Sequence, residues 1–100
     1  MTFRTYLPIA AVRGHATRAW ATTSPELHGL NAVKTDSYLY LLDDGRIVRQ
    51  DWSHGQEKPS RHYVVFAPRG RKVTCDRWIA ARVSPTHWRE LPSFDVVGGR

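Results

Sequence analysis

The chain of 100 residues has a single cysteine, Cys75, so no intrachain disulfide staples it and a disulfide-framed secreted fold is excluded. Its longest apolar runs are only a few residues, where a helix crossing a bilayer needs about 20. The segment Phe3-Arg4-Thr5-Tyr6-Leu7-Pro8 lacks the extended apolar core of a signal peptide, so the expected location is cytoplasmic, with no membrane partner. Low-complexity segments, linkers and repeats are lacking too, and the length fits one compact domain over residues 1–100. The two Ser-Pro segments, at Ser24 and Ser84, share a capping device and nothing more. Glycine-rich phosphate loops are missing, because Gly45 and Gly70 are accounted for by turns.

What is present is aromatic and basic. The aromatic content of 11%, with several β-branched clusters, is enough to bury apolar area and argues against disorder. The formal net charge is +6, from 15 Lys+Arg against 9 Asp+Glu, and all the cations but Lys34, Lys58 and Lys72 are arginine. The excess is uneven. Residues 1–50 carry six cations and four acids, and residues 51–100 carry nine and five. The densest stretch, residues 58–72, holds Lys58, Arg61, Arg69, Arg71 and Lys72 with no acid. Arginine suits planar, bidentate contact with phosphate or carboxylate and stacks on aromatic faces. A patch of this kind is the footprint of a polyanion, usually nucleic acid. The same charge also fits solvated surface arginine or a partner protein with an acidic surface.

Local signals suggest the following elements. Residues 2–7 carry strand formers. Residues 8–23 are ambiguous: Ala10, Ala11, Val12, Ala16, Ala19 and Trp20 can line a helix face, but Gly14 and the threonines oppose it. Ser24-Pro25-Glu26 predicts the start of a helix of about two turns, serine capping and proline opening it. Tyr38 to Leu42 and Arg46 to Trp52, on either side of Asp44-Gly45, read as a β-hairpin. A two-residue loop is expected, with Asp43 opposite Arg46, Leu42 opposite Ile47 and Leu41 opposite Val48. A three-residue loop would shift every pair by one on one strand. After a polar loop at 53–60, His62 to Ala67 and Arg71 to Asp76 predict a second hairpin about Pro68-Arg69-Gly70. It would pair Val65 with Val73 and Tyr63 with Cys75, leaving His62, Val64, Phe66, Lys72 and Thr74 on the other, exposed face. Residues 77–83 are either a continuing strand or a short helix capped by Asp76. Ser84-Pro85 suggests a helical turn through Leu91, stopped by Pro92, and residues 94–97 an edge strand, with the last three residues frayed.

Candidate chemistry is sparse. The histidines are His15, His28, His54, His62 and His87, and the nearest metal-like grouping, Asp51, His54 and His62, falls short of the four ligands of a structural zinc site. No cofactor or metal is expected. Cys75 has no nucleophile motif around it and reads as a small buried hydrophobe. His87 and Glu90 would share a helix face, as an acid–base dyad or, the favoured reading, as a local ion pair or solvated turn. Four tryptophans, Trp20, Trp52, Trp78 and Trp88, serve as core anchors, or as interface anchors if exposed near arginine.

The expected fold is therefore α+β: a curved antiparallel sheet of four to six strands on two hairpins with one or two short helices, or else a small five-strand barrel of SH3-like or OB-like form. The expected function is binding, not catalysis, to RNA or DNA or to a nucleoprotein complex. Arg61, Arg69, Arg71 and Lys72 would meet phosphates, and His62 or Phe66 would stack on unpaired bases. Two other readings stand beside it. One is a phage- or plasmid-encoded inhibitor or adaptor that binds a host defence complex. The other is a metal-independent ribonuclease with His54 or His62 as base and Arg61 and Arg69 holding phosphate.

Overall fold

A computed structural model describes residues 5–24, 26–28, 33–53, 61–69 and 74–92. Along them lie β1 (Tyr6–Leu7), α1 (Ile9–Arg13), β2 (Ala16–Thr22), β3 (Glu26–His28), β4 (Val33–Leu42), β5 (Ile47–Ser53), β6 (His62–Phe66), α2 (Cys75–Arg82) and β7 (Trp88–Glu90). The strands form one antiparallel sheet in the order β1-β6-β5-β4-β2-β7, with β3 pairing the far end of β4. The sheet is open, so the barrel alternative falls: β1 and β7 stand at its two ends. The described residues are compact, with a Cα radius of gyration of 13.7 Å, and none of their helices is long and apolar enough to cross a membrane.

Period-two alternation along β4 assigns the two faces. Tyr40 joins Ala16, Ala19, Leu42 and Val48 in a cluster covered by α1, whose Val12 is fully buried. On the opposite face Leu39, Leu41, Trp20 and Ile47 pack under α2, against Trp78 and Ile79. The helices therefore cap opposite sides of the sheet, and both are short. Pro8 precedes α1 in an extended conformation and Gly14 follows it. Thr74 caps α2, its side chain accepting the Arg77 N–H at 3.3 Å, with Asp76 in the first turn and Arg82 in the last, both favourable to the helix dipole.

The first hairpin forms, but with the other register. Leu41 lies opposite Ile47, Tyr40 opposite Val48 and Leu39 opposite Arg49. The loop is the three residues Asp43, Asp44 and Gly45, closed by Gly45 N–H to Leu42 C=O at 3.0 Å. Gly45 takes φ +93°, the left-handed position that ends such a loop. Acid–base pairing survives within the turn: Asp44 accepts from the Arg46 backbone N–H at 3.0 Å and from its Nε at 2.7 Å. Satisfying Arg46 in this way removes the reason to expect Asp43 opposite it.

Other expectations give way to tertiary pairing. Residues 26–28, expected to be helical after Ser24-Pro25, form β3, because Glu26 to His28 find a ladder with Val33 to Thr35. The ambiguous stretch 8–23 splits into α1 and β2. The second hairpin is not built as expected: β6 pairs with β5 and β1, and Tyr63 faces Arg49 and Tyr6, because Cys75 and Asp76 belong to α2. Residues 77–82 thus resolve as helix, begun by Thr74 and not by Asp76, with Val83 as the C-cap. Ser84-Pro85 does start a turn, closed by Trp88 N–H to Ser84 C=O at 2.8 Å, but the chain then pairs with β2 as β7. Of the first strand, the described part is Tyr6–Leu7. Residues 54–60, 70–73 and 94–97 lie outside the described residues.

Candidate nucleic-acid interface

Arg61 stands exposed just ahead of β6, its guanidinium 5.1 Å above the Tyr6 ring. Tyr6 is 47% exposed and meets Tyr63 edge-on at 6.2 Å, so cation and ring form an accessible pair at the β1 end of the sheet. Arg69 is exposed beyond the other end of β6, next to Pro68, which abuts the Gly45 turn. Arg71, Lys72 and His54 lie outside the described residues.

The two residues expected to stack on bases are turned inward. His62 is only 3% exposed. It sits between Leu7 of β1 and Gln50 of β5, with its ring 5.8 Å from that of Tyr40. Its Nδ1 has no hydrogen-bond partner, and burial, helped by the Arg13 charge, pushes its imidazole below the ordinary range. The expectation of an exposed His62 is therefore overturned: β1 and α1 cover this side of β6. Phe66 is half-buried, its ring 6.3 Å from Trp78. A bulge explains it. Val64 pairs with Val48 and Phe66 with Ile47, so the intervening Val65 is the extra residue and Phe66 crosses to the α2 face. His62 and Phe66, on one face in a regular strand, end on opposite faces.

A polar cluster sits on the α2 face beyond the cover of that helix. The Asp51 carboxylate accepts from Ser37 Oγ at 2.7 Å, Arg49 Nε at 2.8 Å and Tyr63 O–H at 2.8 Å. Burial pushes the Asp51 pKa up, but these bonds together outweigh it and hold it below the usual carboxylate value. Arg49 also donates to Ser37 and lies 5.8 Å from the Trp88 ring. The cluster occupies one guanidinium in structure.

On the α1 face, one cross-strand row runs the width of the sheet. Arg89 lies opposite Ala21, Ala21 opposite Tyr38, Tyr38 opposite Gln50, and Gln50 opposite His62. Ala21 is the small member of this row. Its methyl leaves a cleft of about 300 Å³ between the Tyr38 ring and Arg89, with Leu91 as a further wall and Asp36 opening into it. Thr22, Thr23 and Ser24 complete the lining. Burial chiefly raises the Tyr38 pKa, Asp36 adds to this and Arg89 opposes it, so the phenol is neutral at physiological pH. In the adjacent row Trp52, opposite Asp36, is 37% exposed. Asp36, Tyr38 and Arg89 were not singled out as a site from the sequence. Tyr38 and Asp36 share a face by parity, which was legible, but Arg89 joins them only because β7 pairs with β2.

Comparison with known protein families, curated proteins and solved structures finds no match to this chain.

Proposed function

We propose that the protein is a small binding module that holds a nucleic-acid strand, free or within a nucleoprotein complex, on an arginine-rich surface. One observation carries this reading. Among the described residues, ion pairs join His15 to Asp43, Arg18 to Glu90, Arg46 to Asp44 and Arg49 to Asp51. Arg13, Arg61, Arg69, Arg77, Arg82 and Arg89 are exposed and in no ion pair among the described residues. Two of them, Arg61 and Arg82, lie over aromatic rings, an arrangement that presents planar donors beside stacking surfaces. Arg71 and Lys72 add to this charge in sequence.

The role is binding and not catalysis. Of the two candidate general bases, His62 is enclosed by Leu7, Tyr40 and Gln50, out of reach of a scissile phosphate. Pull-down from source cells with and without nuclease separates the readings: nuclease-sensitive capture supports this one, and a nuclease-resistant complex with one protein replaces it with the inhibitor. The quantitative test is anisotropy with labelled single-stranded and duplex oligonucleotides across a salt series. Exchanging Arg69, Arg71 and Lys72 for glutamate should weaken binding and reduce the salt slope by about 2–3. An unchanged affinity and slope refute the reading.

A further inference from the structure

We propose that the cleft between Arg89 and Tyr38 seats one unpaired nucleotide and favours bases that carry an exocyclic amino group. This rests on the nucleic-acid reading above and gives it a place where sequence is read. The register explains the cleft. Across neighbouring strands, side chains on one face stand about 5 Å apart, so a methyl between two large side chains leaves a slot about two strand spacings wide. Ala21 provides that methyl, flanked by Tyr38 on β4 and Arg89 on β7.

The lining chemistry selects the ligand. Arg89 is exposed, and its fork fits a phosphate bidentately. Tyr38 and Leu91 supply flat or apolar wall, the surface a base uses. Tyr38 is backed by Tyr40, ring centroids 6.5 Å apart and interplanar angle 20°, which fixes its orientation. Asp36 contributes a carboxylate that only accepts hydrogen bonds. A carboxylate has about four acceptor sites, so it takes a base amino group beside the contacts it already has. The N4 amino group of cytosine is the natural donor to such a group, whereas the O4 of uracil in the same place meets negative charge. A volume of about 300 Å³ stands at the lower limit of ligand clefts, enough for a single nucleotide and too small for a base pair.

Short oligocytidylate and oligouridylate of equal length, differing in that group and in whether N3 carries a proton, are the probes. By anisotropy the wild-type chain should prefer oligocytidylate by about 10-fold or more, the lower end of the worth of one charge-assisted hydrogen bond. Asp36→Asn, able to donate as well as accept, should reduce the preference below about twofold while leaving the salt slope unchanged. Arg89→Gln should weaken both ligands and lower the slope by about 0.7, one phosphate contact. A readout that needs no variant is the NMR titration of the wild-type chain with cytidine and uridine monophosphates. Amide shifts at Ala21, Thr22 and Thr23, larger with the cytidine nucleotide, support the proposal. Tight binding of both oligonucleotides with no preference, or shifts elsewhere, overturns it and leaves the proposed function standing. Failure of the wild-type chain to bind either oligonucleotide overturns this proposal; failure to bind every single-stranded and duplex probe, together with nuclease-resistant capture in the pull-down, overturns both.

Discussion

Removing the Asp51 carboxylate tests whether the polar cluster on the α2 face stabilises the sheet. Asp51→Ala takes away the acceptor of the Ser37 hydroxyl, a residue 1% exposed, and the countercharge of Arg49. An unsatisfied buried donor costs about 1–3 kcal/mol. Ser37 retains Arg49 as a donor to its oxygen, and the Arg49 and Asp51 side chains are 31% and 35% exposed, so water offsets part of the lost ion pair. The expected loss is about 2 kcal/mol, or ~8–16 °C in Tm for a chain of this size. Asp51→Asn keeps the shape and should cost about 1 kcal/mol. The pH dependence is the sharper test. The folded pKa of Asp51 is depressed, so its contribution is present above the unfolded value of about 3.9 and is lost as pH falls through the lower folded value. Urea denaturation at a series of pH values from neutral downward should show the gap between wild type and Asp51→Asn narrowing below about pH 4. A gap that stays constant to the lowest pH, or an alanine variant within about 0.5 kcal/mol of wild type, refutes this account.

How far the fold was legible depends on whether its signal is local. The Asp-Asp-Gly turn and the β-rich runs beside it are local, so β4 and β5 were readable. Their register was not, since one residue decides between two loops and the choice came from Asp44 binding its own Arg46. The Ser-Pro signals describe how a helix starts, and both segments do begin with a turn or bend. They do not say whether a neighbouring strand will claim the next residues, and β4 and β2 claim them as partners of β3 and β7. Parity arguments fail at bulges. Without the bulge at Val65, Phe66 would share the face of His62, as the alternation of the sequence suggests. The candidate cations were visible as composition, but their exposure depends on which acids pair with which arginines. Glu90 reaches Arg18 across 72 residues, a contact that no local pattern contains.

Three further outcomes follow from the same geometry. Exchanging Arg61 for alanine should leave the Tyr6 ring in place and lower the salt slope of oligonucleotide binding by about 0.7–0.9, measured by anisotropy; an unchanged slope removes Arg61 from the interface. Gly45→Val should lower stability by more than about 1 kcal/mol in urea, because a β-branched residue resists φ +93° and its Cβ would stand 3.2 Å from Pro68 Cγ; an unshifted midpoint would mean the turn adopts another form. The last concerns His62, buried with Nδ1 unpartnered at the seam of β1, β5 and β6. Tyr40 and Gln50 face it from the sheet and Arg13 from α1, so among the described residues the charge it meets opposes protonation. Its folded pKa is depressed, so the unfolded chain binds the proton first as pH falls. Stability is then full above the unfolded value of about 6.5 and is lost as pH falls through the folded value. His62→Leu removes the titrating group and keeps apolar contact with Tyr40 and Leu7. The variant should therefore lose less stability than wild type between about pH 7 and pH 5, whatever its own midpoint. Parallel pH profiles for the two proteins would show that the imidazole titrates in the native state as it does in the unfolded chain.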